Sequence, residues 1–164
     1  MTVHIQGQTC DMASILKIAK KHNLKVIEDV AQSFGSKIKN KYAGTFGDCG
    51  AFSLQAGKTI TCGEGGFIAT NNKKIYEMAK MFHDNGGYRV GPYYPTWENG
   101  NTIFGENYKL TELQSAVALE QLKKANLIIK NQKHNFEFLA KHINKDFYSL
   151  RPILKNHEPI NTSL

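Results

Sequence analysis

Phe52-Ser53-Leu54-Gln55-Ala56-Gly57-Lys58-Thr59-Ile60-Thr61-Cys62-Gly63-Glu64-Gly65-Gly66 sets one lysine between an apolar, strand-like run and a glycine-rich turn. A primary amine held there can condense with a carbonyl to give an imine, provided its surroundings leave part of it neutral. Lysines beside glycine turns are more commonly solvated surface residues, so the segment takes its meaning from what surrounds it. Strand candidates Ala51 to Leu54 and Phe67 to Thr70 flank it, which puts Lys58 on the turn that joins them. A turn at that place can present the amine to a cleft.

Upstream, Val26-Ile27-Glu28-Asp29-Val30-Ala31-Gln32 reads as a short buried strand that ends in a carboxylate, with a glutamine three residues later. In open α/β sheets ligands bind at the carboxyl ends of strands, where a carboxylate can hold a ring nitrogen protonated. An Asp at such a place equally caps the following turn. Local chemistry leaves both readings of Asp29 open. Before this strand, Asp11 can cap a helix whose apolar residues Met12, Ile15, Leu16 and Ala19 share one face, ending near His22-Asn23. A helix delivering into a strand over Lys25 to Glu28 is half of a parallel α/β unit, so the fold class is α/β.

Further along, Ser36 to Lys39 and Tyr42-Ala43, parted by Asn40-Lys41, suggest a small hairpin. Asn72 opens a helix carrying Ile75, Met78, Ala79 and Phe82 on one face and ending before Gly86-Gly87. Thr111-x-x-Gln114 has the form of a capping box, and Leu113, Ala116 and Val117 start a long helix running past Phe136. Between these helices, residues 87–101 hold two prolines and several aromatics and read as a long loop. There Tyr93, Tyr94 or Trp97 could line a ligand site or an interface, or only pack the loop down, and Arg89 could bind a carboxylate or phosphate.

Composition narrows the function classes. With 164 residues and 41% hydrophobic content the chain has the size of about one domain. No apolar run reaches the roughly 18 residues of a membrane span, and Met1-Thr2-Val3-His4 lacks the start of a signal peptide. Cys10, Cys49 and Cys62 are widely spaced, which points away from a disulfide framework and toward a reducing cytoplasm. The net charge of +7 gathers late, at residues such as Lys123, Lys124, Lys130 and Lys133, but Glu120, Glu137 and Asp146 interrupt it. That pattern is a solvated helix face, so nucleic acid is not expected as a partner. The histidines show no metal spacing, and Lys58 precedes its glycines instead of following them as in a phosphate loop, so neither a metal site nor a nucleotide triphosphatase is expected.

The ordered set Glu28-Asp29-x-x-Gln32, Gly47-Asp48, Phe52-Ser53-x-x-x-x-Lys58 and Gly63-Glu64-Gly65-Gly66 resembles the DegT family of pyridoxal-phosphate-dependent sugar aminotransferases. The likeness continues through Gly105-Glu106-Asn107-Tyr108-Lys109-Leu110-Thr111-Glu112-Leu113-Gln114 and spans about Val3 to about Leu139. It implies part of a fold-type I aminotransferase large domain, a mixed, mostly parallel sheet flanked by helices, followed by a long C-terminal helix. It implies pyridoxal 5'-phosphate as cofactor, with Lys58 as the amine that joins it covalently and then acts as general base and acid. Asp29 would pair with the pyridine nitrogen, Gln32 would lie near the ring's phenolic oxygen, and Ser53 would donate to the phosphate. Asn107 resembles an asparagine that reaches the phosphate from a neighbouring subunit, which implies a homodimer with shared active sites.

The implied reaction moves an amino group from glutamate or glutamine to a keto sugar. The run from Lys58 to Gly66 looks like that of members that aminate eight-carbon keto-deoxy sugars of the octulosonate type, with nucleotide-linked hexoses and cyclic inositol ketones also open as acceptors, in sugar or cell-surface polysaccharide biosynthesis. Relatives with histidine in place of the lysine are sugar dehydratases, so Lys58 favours transamination. Two local departures are Gly57, where many relatives have serine or threonine, and Glu106 in place of a usual tyrosine. Against the family's pattern the chain is expected to divide into a partial cofactor-binding domain at 1–109, a long helix at 110–145 and a truncated tail at 146–164. It would lack the front of the large domain and the small C-terminal domain, so an inactive remnant is the alternative to an active enzyme.

Overall fold

The computed structural model describes residues 1–87 and 102–160. After β1 (Thr2–Val3), helix α1 (Met12–Lys21) starts where its cap predicts, the Asp11 carboxylate accepting the Ser14 N–H at 3.1 Å. It ends at His22 and buries Met12 and Ala19 with Val26 in one core cluster. β2 (Ile27–Asp29) starts two residues later than the apolar run suggests. Asp48 accounts for the shift, because its carboxylate accepts from the Val26 N–H at 2.8 Å and from the Lys25 ammonium at 3.1 Å.

β3 (Lys37–Ile38) and β4 (Lys41–Tyr42) form the expected hairpin, with the turn one residue earlier, at Lys39-Asn40. Both turn residues are left-handed, φ 48° and 65°, the geometry that suits a two-residue hairpin. β5 (Cys49–Ser53) and β6 (Gly66–Ala69) flank the lysine loop. The main sheet runs β1-β2-β5-β6, with the first three strands parallel and β6 antiparallel. This is the mixed, mostly parallel α/β sheet that the sequence predicts.

α2 (Lys73–His83) is capped by Asn72, whose side chain accepts from the Lys74 and Ile75 N–H groups. α3 (Glu112–His142) begins at a complete capping box between Thr111 and Gln114. Its Ala125 joins Leu54, Ile60 and Cys62 in a second core cluster, so the long helix buttresses the lysine loop. Farther along, β7 (His157–Glu158) pairs with β3, and Ile160 is fully buried, its N–H bonded to Gly7 O. Among the described residues, no helix is long and apolar enough to cross a membrane and no cluster of side chains could hold a metal ion. Cys10, Cys49 and Cys62 are free thiols.

Candidate active site

Asp29 ends β2 and Ser53 ends β5, at the carboxyl edges of neighbouring parallel strands. Asp29 is in register with Ala51, and residues two apart on a strand share a face, so Asp29 and Ser53 project from the same side of the sheet. Strand geometry separates their Cα atoms by about 8 Å. Asp29 also closes the turn that follows it, its Oδ1 accepting the Ala31 N–H at 3.0 Å. The turn uses one carboxylate oxygen, so capping and ligand binding are compatible roles for this residue. The Ser53 Oγ accepts the Gln55 N–H at 3.3 Å, which leaves its own hydrogen to donate elsewhere.

Lys58 stands on a loop that is closed at its neck. The Leu54 N–H donates to Gly65 O at 2.9 Å and the Cys62 N–H to Leu54 O at 3.0 Å. Inside the loop the Lys58 N–H donates to Gln55 O at 3.0 Å, and the Gly57 N–H to Gln55 Oε1 at 2.8 Å. Leu54, Ile60 and Cys62 sink into the core while Gln55, Ala56 and Gly57 stay exposed. The loop therefore has a fixed foot and an accessible crest, with Lys58 half-buried between them. Among the described residues no hydrogen bond or ion pair engages its ammonium. A Cβ on Gly57 would meet only Gln55 Oε1, at 3.3 Å, so glycine at this position is not demanded by packing.

Gln32 is tied to the loop after β1, its Oε1 accepting the Gln6 N–H at 3.0 Å. Its amide N–H₂ remains as a donor. Asn107 is exposed, in a β-bridge with Asp84 just beyond α2. Arg89, Tyr93, Tyr94 and Trp97 lie outside the described residues. A cavity of about 730 Å³ opens between α2 and β5–β6, lined by Phe67, Ile68, Tyr76, His83 and Tyr108 among others. Asp29, Gln32, Ser53 and Lys58 do not line it.

Two supports of the site escape sequence reasoning. The first is Gln114, whose Nε2 donates to Glu64 O at 2.8 Å and ties the glycine-rich turn to the start of α3. The capping-box pattern names Gln114 but says nothing of a contact 50 residues away. The second is a buried pair, His4 with Glu28, joined at 2.9 Å directly beneath Asp29 in the chain. Its signal was a glutamate inside an apolar strand, which needs partners if it is buried.

Known proteins share this fold and sequence pattern. Residues 1–158 match the model of the DegT/DnrJ/EryC1/StrS aminotransferase family. A GDP-perosamine synthase of Escherichia coli is 41% identical over 144 residues, covering 88% of this chain and 38% of that protein. Among solved structures, Helicobacter pylori PseC, described as an aminotransferase involved in the biosynthesis of pseudoaminic acid, superposes with a TM-score of 0.82 at 31% identity, covering 98% of this chain and 42% of its own. The E. coli GDP-4-keto-6-deoxy-D-mannose-3-dehydratase with bound hydrated PLP also gives 0.82, at 28% identity and 98% and 44% coverage. The chain thus spans about two fifths of the length of the relatives it matches. With its fold shared by solved members and its motifs matched from the first residue to position 158, the chain belongs to the DegT/DnrJ/EryC1/StrS aminotransferase family.

Proposed function

We propose that this chain carries the lysine-bearing part of a pyridoxal-phosphate-dependent transaminase that moves an amino group from glutamate or glutamine to a nucleotide-linked keto sugar. The observation that carries the reading is the convergence of Asp29 and Ser53 on one face of adjacent strand ends, with Lys58 on the core-footed loop that leaves β5. Its donor set fits the cofactor: an amine, a carboxylate with one oxygen unused by its turn, an amide N–H₂ and a hydroxyl hydrogen.

When bound, pyridoxal phosphate supplies an aldehyde for the amine and a ring that accepts electron density. Asp29 would hold the protonated ring nitrogen through its unused carboxylate oxygen, Gln32 would donate its amide N–H to the ring oxygen, and Ser53 would donate its hydroxyl to the phosphate, with Asn107 supplied by a second copy of the chain. The Lys58 amine would serve as general base and then acid for the proton on the substrate carbon. A GDP-linked hexose is favoured as acceptor by the 41% identity to a GDP-perosamine synthase, ahead of an octulosonate or inositol ketone. Synthesis of a cell-surface polysaccharide in the cytoplasm is the setting that this acceptor and three free thiols suit.

A dehydratase of the same fold is the second reading, supported by the structural neighbour of that activity. Position 58 separates the two, because the family likeness gives dehydratases a histidine there and this chain keeps lysine. The test is to incubate the chain with pyridoxal phosphate, reduce with borohydride and map the adduct by mass spectrometry, with Lys58→Ala as control. Label confined to Lys58 and absent from the variant is the expected result. Scattered or absent label would overturn the reading for this chain and favour an inactive remnant. Glutamate should then convert the bound cofactor to its amine form, and a GDP-linked keto hexose should reverse that change.

A further inference from the structure

His4 and Glu28 are both fully buried, on adjacent parallel strands of the sheet and its first loop. Four donors surround the Glu28 carboxylate. Its Oε1 accepts from the Phe46 and Gly47 N–H groups, each at 2.7 Å, and its Oε2 from the Gly44 N–H at 2.8 Å and from His4 Nε2 at 2.9 Å. The His4 ring is oriented from its other side, where Nδ1 accepts the Cys10 N–H at 3.0 Å. An acceptor at Nδ1 puts the hydrogen on Nε2, aimed at Glu28.

The backbone of His4 extends the same network to the segment that carries the site. Its N–H donates to Asp29 O at 3.0 Å, and its carbonyl accepts the Ser33 hydroxyl at 2.7 Å. Two residues on, the Gln6 N–H holds Gln32. Residues 28–33 are therefore gripped from the loop at 44–47 on one side and from the β1–α1 loop on the other. A dry apolar contact would stabilise the sheet at least as well as a buried, hydrogen-bonded carboxylate. What the pair adds is direction, since four directed bonds fix where the end of β2 lies.

We propose that Glu28, oriented by His4, is a positioning residue for Asp29 and Gln32, holding their functional atoms at the height and angle that the cofactor ring requires. The assignment of what these two residues face rests on the transaminase reading; the clamp itself rests on the hydrogen bonds. Glu28→Gln keeps size but replaces one acceptor oxygen by an amide nitrogen, so it leaves N–H groups of the clamp without a partner. His4→Ala removes the donor to Glu28, whereas His4→Gln can retain a donor in the place of Nε2.

The experiment uses the full chain and measures amide hydrogen exchange, together with pyridoxal phosphate affinity and the visible band of the bound cofactor. In Glu28→Gln and His4→Ala, exchange at Gln6 and Ala31 should rise by about tenfold or more while amides in the middle of α3 stay unchanged. Cofactor affinity should fall by about tenfold and the band should shift with the ring's misplaced partner, whereas His4→Gln should remain within about twofold of wild type. If exchange accelerates equally across all core amides, or if folded variants keep the wild-type band and affinity, the pair only stabilises the fold and the proposal fails. Should Glu28→Gln not fold, the contrast between His4→Ala and His4→Gln decides. Should the wild-type chain not take up the cofactor, the functional reading falls, and local exchange at Gln6 and Ala31 alone decides whether the clamp exists.

Discussion

Burial by itself pushes the Glu28 carboxyl up, yet the hydrogen bonds from His4, Gly47, Gly44 and Phe46 together outweigh it and bring the group below its ordinary 4.5. A carboxylate lowered in the folded state contributes stability that is present above its unfolded value and is lost as pH falls through the folded one. Asp48, held down first by the Val26 N–H and then by Lys25, and Asp11, held down by the Ser14 hydroxyl and N–H, act in the same direction. Urea midpoints should therefore drop as pH falls from about 5 toward 3. Glu28→Gln should start about 1–3 kcal/mol less stable at neutral pH and lose less on acidification, keeping only the share due to the two aspartates. A variant with the full wild-type acid slope would show that the buried carboxylate is not the linked group. At this scale the sequence was informative about identity and silent about partnership. The acid at position 28 and the one at position 29 look alike in a strand reading, and only the fold assigns one to the clamp and the other to the open edge.

Helix α3 connects the element scale to the site through a single small residue. Ala125 packs on Leu54, Ile60 and Cys62, the buried foot of the lysine loop, and the neighbouring Ala118 and Ile128 join the same cluster. Ala125→Leu overfills that contact and should cost about 1–3 kcal/mol, with the loop shifting because its crest is less constrained than its neck. The expected outcome is slower and less selective borohydride trapping at Lys58 in a chain whose helix content by circular dichroism is unchanged. Trapping at the wild-type rate and selectivity would mean that the loop holds Lys58 in place without the helix. Elements of this kind were legible wherever a local signal fixed them. Asp11, Asn72 and the Thr111–Gln114 box each mark a helix start with a side chain that must satisfy orphan N–H groups, and each holds in the structure. The two-residue strands β1 and β7 were not legible, because so short a run has no periodicity and exists only through its partners β2 and β3. The late start of β2 has the same origin, a side chain 20-odd positions away taking the backbone donor.

At the scale of the whole molecule, the homodimer that the family likeness implies can be tested on the exposed apolar surface. Leu113 and Phe104 are 82% and 77% exposed at the start of α3 and before it, and Phe67 and Ile68 lie open on the edge strand β6. Large apolar side chains left open to solvent are available for association, even on a chain of net charge +7. Sedimentation should accordingly give a concentration-dependent mass above the 18.4 kDa of one chain. Asn107 tests whether such a dimer also shares its sites. It is exposed, and its backbone is paired near the end of α2. If it reaches the cofactor across the interface, Asn107→Ala should weaken cofactor binding and Lys58→Ala should abolish covalent trapping. A mixture of the two variants, unfolded and refolded together, should then regain about a quarter of the intact sites. Random pairing makes about half of the dimers mixed, and each mixed dimer of two-fold origin holds one site with both residues and one with neither. If Asn107 served the Lys58 of its own chain, every site in the mixture would lack one residue and no intact site would return, so tight cofactor uptake at Lys58 in the mixture is the reading that separates the two geometries.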